Sequence, residues 1–253
     1  MSLSWSRAAA LAGLVLLAGC RSAEKEDPIA RLSAEEAFSE GQRWMTEKKY
    51  DRAQEYFAHA FQTEPNSEVG RESLLLEADA LFLDGGEDNY IKAESKYRDF
   101  LNRFPTSPRG DYAQVQVARS LEERMRRADR DQAPTRKALA AYKELQQLFP
   151  TSEWIDEAEE GIARARSSLA EHEYLVGRFS LRRGFLPAAV ARFETLIELY
   201  PEYPEMDKVL WGLGQAYLRQ DDVENASRAF ERLASEYPDS AYADKIPEEA
   251  LRP

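Results

Sequence analysis

One spacing of small residues, an aromatic ring and a proline recurs along this chain and limits its possible folds. In the copy at 169–201, Gly177, Ala189, Phe193 and Pro201 are separated by 12, 4 and 8 residues. The same spacing recurs at Gly41, Ala53, Phe57 and Pro65 and at Gly214, Ala226, Phe230 and Pro238. Because the residues between these positions follow a helical period, each copy predicts two helices, a short turn and a proline stop.

Two further segments keep the second half of the spacing, at Ala93, Tyr97 and Pro105 and at Ala138, Tyr142 and Pro150. The five units resemble the tetratricopeptide repeat, a helix-turn-helix of about 34 residues. Small residues would let the paired helices approach to about 8 to 9 Å, and the aromatic ring would fill the gap to the next unit. We therefore predict an all-α chain. The resemblance implies a right-handed α-solenoid with units at 34–67, 73–107, 111–152, 157–203 and 207–240.

The composition limits the class of protein and its partners. A formal net charge of −12, from 34 basic and 46 acidic residues, disfavours nucleic acid and anionic lipid surfaces as broad partners. An apolar fraction of 43% is ordinary for a globular protein, so neither a disordered chain nor a multi-span membrane protein is expected. We expect a single elongated array, since the units fill 34–240 almost without interruption.

The amino terminus has the pattern of an export signal. Arg7 precedes an apolar run at 8–17, which is too short for a stable membrane span. The segment Leu17-Ala18-Gly19-Cys20 resembles the bacterial lipobox, and this resemblance implies cleavage after residue 19 and a lipid on Cys20, the only cysteine. An ordinary secretory signal is the alternative. If the lipobox holds, residues 20–33 would be a lipidated tether. In the bacterial lipoproteins that this segment resembles, Asp after the cysteine commonly signals retention in the inner membrane, and position 21 here is Arg. The resemblance therefore implies the outer membrane, facing the periplasm.

Several local elements can be predicted from caps and breakers. Ser33 and Glu36 have the spacing of a capping box at the start of the first helix. We further expect a helix at 50–63, a turn at 84–89, a solvated loop at 124–134 and a long helix at 152–180. The tail at 241–253 has room for only about one helical turn before Pro247, so a partner would cover this end of the array or it would fray.

No pattern in the chain points to catalysis. The two histidines, His59 and His172, lack neighbouring metal ligands or a catalytic motif, and no G-x-S-x-G, P-loop or H-E-x-x-H sequence occurs. We therefore expect no enzyme, no metal site and no cofactor other than the covalent lipid. An enzyme acting on envelope polymers is the weakest of three readings of this chain.

The order of features resembles the BamD family, lipoproteins of the outer-membrane β-barrel assembly machine. The more specific local similarities to this family are Asp111-Tyr112, Asp129-Arg130-Asp131 and the segment from Leu169 to Arg192, including Arg183-Gly184. The resemblance implies a noncatalytic scaffold that binds a POTRA domain of BamA, other subunits of the machine and unfolded barrel proteins. The alternative is another periplasmic repeat lipoprotein, serving cell-wall synthesis or pilus and secretin assembly.

The same resemblance implies two sets of binding residues. Arg192 falls where such proteins carry an arginine that faces BamA, and Arg183 is the second partner-binding candidate. An exposed helical arginine can equally be a solvated residue. Phe38, Gln42 and Met45 occupy first-helix positions that usually line the inner groove, and they are the candidate substrate-binding residues, with core or plain surface positions as the alternatives.

Overall fold

The computed structural model describes residues 28–248, and every regular element within that range is helical. The helices are α1 (Ala34–Thr46), α2 (Tyr50–Thr63), α3 (Glu68–Asp84), α4 (Glu87–Arg103), α5 (Gly110–Glu122), α6 (Ala133–Leu148), α7 (Ile155–Arg183), α8 (Leu186–Leu199), α9 (Met206–Leu218) and α10 (Val223–Glu236). Short 3₁₀ turns lie at Pro28–Arg31 and Ala243–Lys245. The expected all-α architecture of paired helices is confirmed.

Each helix packs against the helices before and after it in sequence, so the chain forms a stack of antiparallel hairpins. Contacts also join α1 to α3, α5 to α7 and α7 to α9, whereas even-numbered helices of the described region show no comparable mutual contact. The odd-numbered helices therefore lie closer together. We call the side that they line the inner face.

The recurring glycines make room for the recurring aromatic rings. A Cβ atom on Gly177 would lie 2.7 Å from the ring of Phe193, and a Cβ on Gly212 in the next unit would lie 2.8 Å from the same ring. Gly41 stands in the same relation to Phe57, at 2.7 Å. The Phe193 ring thus packs against the first helix of its own unit as well as against the next unit, whereas the spacing had suggested that the ring fills only the gap to the next unit.

The predicted helix starts are confirmed in the first unit, and one predicted turn is too long. Ser33 Oγ accepts a hydrogen bond from the backbone N–H of Glu36, whose carboxylate accepts one from Ser33 N–H, which completes the capping box. The turn expected at 84–89 contains only Gly85 and Gly86, which have φ of +76° and +88°. Two successive residues with positive φ reverse the chain quickly, so α4 already begins at Glu87.

The loop between α5 and α6 is partly packed rather than fully solvated. Gln132 is 1% exposed, and its Nε2 donates to the carbonyls of Arg127 and Arg130 at 3.0 and 3.1 Å. Its Oε1 accepts from the hydroxyl of Thr135 at 2.9 Å. Arg124 pairs with Glu94 at 2.7 Å. The many charged residues of this segment suggested a fully solvated loop. The sequence pattern does not show that the Gln132 side chain donates hydrogen bonds to the backbone carbonyls of the loop.

The second half of the array begins with the long helix α7 and ends with a short segment that packs on the last helix pair. α7 has 29 residues and contacts one apolar cluster near Ala158 and another from Ala170 onward, so it joins the two halves. Beyond α10, Tyr242 stacks on Trp211 with ring centroids 5.9 Å apart, and Ser240 donates to Asp207 at 2.7 Å. The chain itself therefore covers the last helix pair up to residue 248.

Candidate docking surfaces

Arg192 lies on the outer side of α8 and is already paired. Its Nη1 is 2.9 Å from Oε2 of Glu173 on α7. The arginine side chain is 46% exposed, whereas the glutamate is only 14% exposed. A carboxylate held by the preceding helix therefore orients the guanidinium, and its remaining N–H groups are available to solvent or a partner.

The surface around Arg192 is more apolar than a typical wet helix face. Ala188 and Ala191 are exposed beside it, and Leu199 near the end of α8 is 51% exposed. Arginine is enriched at protein interfaces, and the centre of an interface carries few other charged side chains. This face of α8 can therefore dock another protein without desolvating many charges.

Arg183 occupies a different place from Arg192. It ends α7, with its guanidinium carbon 5.5 Å from the ring centroid of Phe179, and Gly184 follows in the left-handed conformation at φ +82°. Ten residues of α7 separate Arg183 from Glu173, the partner of Arg192. At about 1.5 Å per residue, this corresponds to about 15 Å along the helix. The structure does not bring the two arginines together.

The three groove candidates share one face of α1 but differ in burial. Phe38 is half-buried with its ring edge toward Phe57, at a centroid distance of 5.9 Å, and Met45 is also half-buried. Both belong to the apolar cluster that α1 and α2 form with Leu76 and Ala80 of α3. Gln42, between them, is exposed. The face therefore offers one polar amide beside partly exposed apolar side chains.

A buried polar network in the second and third units has no counterpart in the sequence predictions. Asp79 of α3 is 8% exposed, and its Oδ1 accepts hydrogen bonds from Tyr97 at 2.6 Å and Tyr112 at 2.9 Å. Gln116 donates to the Tyr112 hydroxyl at 3.0 Å. Burial raises the pKa of Asp79 above its usual range, although the hydrogen bonds from both tyrosines and Gln116 act in the opposite direction.

The network continues toward the inner face through an arginine. Arg119 donates from Nη1 to Gln116 Oε1 at 3.1 Å and from Nε to Glu157 at 2.6 Å, so it links α5 to α7. Its guanidinium carbon is 4.9 Å from the centroid of the Trp154 ring. The sequence pattern does not predict the contacts of Tyr112 with Asp79 and of Arg119 with Glu157, because these partners lie 33 and 38 positions apart, although Tyr97 is the aromatic position of its repeat.

Both histidines have a ring nitrogen close to a backbone carbonyl. A ring nitrogen of His59 lies 3.0 Å from the carbonyl of Leu32, and a ring nitrogen of His172 lies 2.7 Å from that of Ala128. Across 28–248, no cluster of histidine, cysteine and acidic side chains has a geometry that could hold a metal ion. No helix in that range combines the length and apolarity needed to cross a membrane. Cys20 and the rest of the predicted signal lie outside the described residues.

Two protein families match the sequence of this chain. The family YfiO, described as outer membrane lipoprotein, matches residues 31–221, and a tetratricopeptide repeat family matches residues 208–240. The chain belongs to the YfiO family. The resemblance to the BamD family is also confirmed, because several curated relatives that match most of the chain carry that name.

Three of these relatives are each called outer membrane protein assembly factor BamD. The protein of Caulobacter vibrioides is 28% identical over 94% of this chain and 79% of its own length. The proteins of Rickettsia prowazekii and Neisseria gonorrhoeae are 27% and 24% identical, over 91% and 89% of this chain and 90% and 89% of their own lengths. Each match therefore covers about nine-tenths of this chain and between 79% and 90% of the relative.

Proposed function

We propose that this protein is a noncatalytic, lipid-anchored scaffold subunit of the machine that assembles outer-membrane β-barrel proteins. The observation that carries the proposal is the YfiO family match over 31–221, together with relatives named assembly factor BamD. The described helices present partly exposed apolar side chains beside Arg192 and beside Gln42, which fits a platform for other proteins. The lipid on Cys20 would hold the array at the periplasmic face of the outer membrane.

The outer face of α8 is the proposed contact with a POTRA domain of BamA. Arg192 is held by Glu173 and surrounded by Ala188, Ala191 and the exposed Leu199. This arrangement gives an oriented arginine at the centre of an apolar patch, which is typical of residues that dominate interface energies. An acidic side chain on BamA would extend the Glu173–Arg192 pair into a three-membered ionic contact.

The inner face of the first unit is the proposed site for extended segments of unfolded barrel proteins. Phe38 and Met45 present partly exposed apolar atoms, and Gln42 can donate to and accept from a peptide backbone. Barrel strands alternate apolar and polar side chains, so an extended segment could place its apolar residues against Phe38 and Met45. Gln42 would pair with the backbone between them.

Copurification with BamA tests the α8 contact. The full chain, extracted from membranes in mild detergent, should recover BamA, and Arg192→Gln should reduce this recovery severalfold while leaving the helix content unchanged. Gln is the better replacement, because Arg192→Glu would place a second carboxylate beside Glu173, which is 14% exposed. Arg232→Gln is the matched control, since Arg232 is also 46% exposed and paired with a glutamate.

The outcomes separate the proposed function from its alternative. Unchanged BamA recovery with Arg192→Gln would remove the α8 contact, and recovery of a partner-free monomer from wild type would contradict the scaffold itself. Depletion of the protein should lower the content of outer-membrane barrels. Normal barrel content would instead favour a role in cell-wall synthesis or in pilus and secretin assembly.

A further inference from the structure

The loop between α5 and α6 contacts the units on both sides of its own. Near its start, Arg124 pairs with Glu94 of α4 at 2.7 Å. At its middle, the carbonyl oxygen of Ala128 lies 2.7 Å from Nδ1 of His172 on α7. The loop therefore links the second unit to the fourth across the third, and we call its residues 123–132 the brace.

Two hydrogen bonds join the brace to α7. A backbone carbonyl can only accept, so Nδ1 of His172 carries the hydrogen that binds Ala128. Four residues earlier on α7, the Ser168 hydroxyl donates to Oε1 of Gln132 at 3.3 Å. Residues four apart lie on the same face of a helix, so both bonds fasten the brace to one side of α7.

The brace lies beside the stretch of α7 that separates the two apolar clusters. The first cluster contacts α7 as far as Ile162, and the second begins at Ala170. Ala163 and Ser167, between them, are exposed. Within 28–248, α6 and α8 pack on α7 but make no comparable contact with each other. A long helix that joins two packed bodies in this way can let them move relative to each other unless other contacts hold them.

We propose that the brace is a conformational device that sets the angle between the first three units and the last two. While it is docked, His172 and Ser168 hold the second half of α7 against a loop that is itself tied to the second unit. When these bonds break, the two halves can move about the stretch of α7 at 163–169. This inference goes beyond the proposed function, because it concerns the free chain and needs no partner.

The segment of α7 that the brace holds also supports the surface around Arg192. His172 binds the brace, and the next residue, Glu173, pairs with Arg192 at 2.9 Å. Successive residues of a helix point about 100° apart, so the brace and α8 lie on adjacent sides of α7. Release of the brace would therefore move the α8 surface relative to the inner face of the first unit.

Distances between two spin labels, measured by double electron–electron resonance, test this inference on the purified full chain. Cys20→Ser removes the only cysteine, and Lys143→Cys on α6 and Ser235→Cys on α10 then place one label on each half, at exposed positions outside the brace. His172→Leu combined with Ser168→Ala removes both hydrogen bonds to the brace. We expect the fraction of molecules outside the wild-type range of 143–235 distances to rise about tenfold, the effect of losing two hydrogen bonds.

Release of the other end of the brace gives a second, independent variant. Arg124→Gln removes the ion pair with Glu94, which keeps Arg98 as a partner at 3.0 Å, and leaves α7 unchanged. It should populate the same displaced 143–235 distances. His172→Asn, with Ser168 kept, should retain the wild-type distances, because an amide nitrogen can donate from the position of Nδ1.

Two controls separate release of the brace from a general loss of packing. His59→Leu combined with Ser227→Ala is the matched variant, because His59 also lies 3.0 Å from a backbone carbonyl and both residues are half-buried, but neither joins the two halves. It should leave the 143–235 distances unchanged. Labels at Ser39→Cys and Lys143→Cys, both in the first half, should keep their distance in every variant.

Three results would overturn the inference. Unchanged 143–235 distances after release of either end would show that α7 holds the angle without the brace, together with Arg166, which binds Glu202 at 2.6 Å. An equal displacement of the 39–143 distance would show that the variants loosen the whole array. An equal effect of the His59 and Ser227 variant would show that the contacts of the brace are not special.

Discussion

At the scale of single residues, the buried carboxylate of Asp79 explains why two tyrosines and a glutamine converge between the second and third units. A carboxylate that is 8% exposed is costly unless donors surround it, and Tyr97, Tyr112 and Gln116 come from two other helices. The network therefore ties α3, α4 and α5 together through a single oxygen atom. Its strength should depend on the number of donors.

Replacing one donor tests that dependence. Tyr97→Phe keeps the ring in its buried position but removes the hydrogen bond of 2.6 Å to Asp79. We expect a loss of about 1–3 kcal/mol in the free energy of unfolding at neutral pH, measured by urea denaturation. Tyr90→Phe is the control, because that half-buried ring lies outside the network. Equal losses in both variants would contradict the assigned role of Tyr97.

The raised pKa of Asp79 predicts a pH dependence of stability. Because folding raises this pKa, the folded state binds the proton more tightly, and this contribution to stability is present below the unfolded pKa and is lost as pH rises through the folded pKa. Asp79→Asn cannot titrate. The free energy of unfolding of wild type minus that of Asp79→Asn should therefore fall as pH rises from about 4 toward neutrality. Burial also raises the pKa of Glu77, but both proteins share that group, so it cancels. A difference independent of pH would contradict the raised pKa.

At the scale of helices and turns, the pattern of the chain predicted most helix positions and few tertiary contacts. The helix predicted at 50–63 has the observed limits, because one continuous amphipathic stretch lies between Lys49 and Glu64. The long helix was predicted at 152–180, and both ends of α7 lie three residues further along the chain. The turn at Gly85-Gly86 was overestimated because acidic residues suit both a loop and the first turn of a helix. The contacts of Asp79 and Gln132 depend on how distant helices meet, which no local pattern contains.

Gln132 provides a test at the scale of one loop. Its side chain donates to two loop carbonyls and accepts from Thr135 and Ser168, so it fixes the loop to α6 and α7. Gln132→Ala should leave these carbonyls without a donor and speed amide hydrogen exchange across 123–132 severalfold. Gln147→Ala, at an exposed position of α6, is the control. Unchanged protection of the loop would show that its other contacts suffice.

A glycine lies close to an aromatic ring within the helix pairs α1–α2, α7–α8 and α9–α10. In an open helix, Gly177→Ala would stabilise by about 1 kcal/mol through helix propensity. Here the new Cβ would lie 2.7 Å from the Phe193 ring, so we expect a net loss of about 1–3 kcal/mol in thermal or urea unfolding. Combining it with Phe193→Leu should cost less than the sum of the two single changes, because the smaller side chain removes the clash. Strict additivity would contradict a direct contact.

At the scale of the whole molecule, the proposed attachment of the array to a membrane rests on the predicted lipid at Cys20, a prediction that lies outside the described residues. If Cys20 is lipidated, labelled palmitate fed to cells should be incorporated into the wild-type protein. Two or three acyl chains would also hold the protein stably at the membrane, because each buried methylene contributes about 0.8 kcal/mol. Cys20→Ser should abolish the label, whereas Ser22→Ala, two residues away, should keep it. The intact mass of the mature wild-type protein should correspond to a chain that begins at residue 20 and carries acyl groups. An unlabelled wild-type protein cleaved at another position would instead show an ordinary secretory signal, and the scaffold would then need a protein partner to hold it at the membrane.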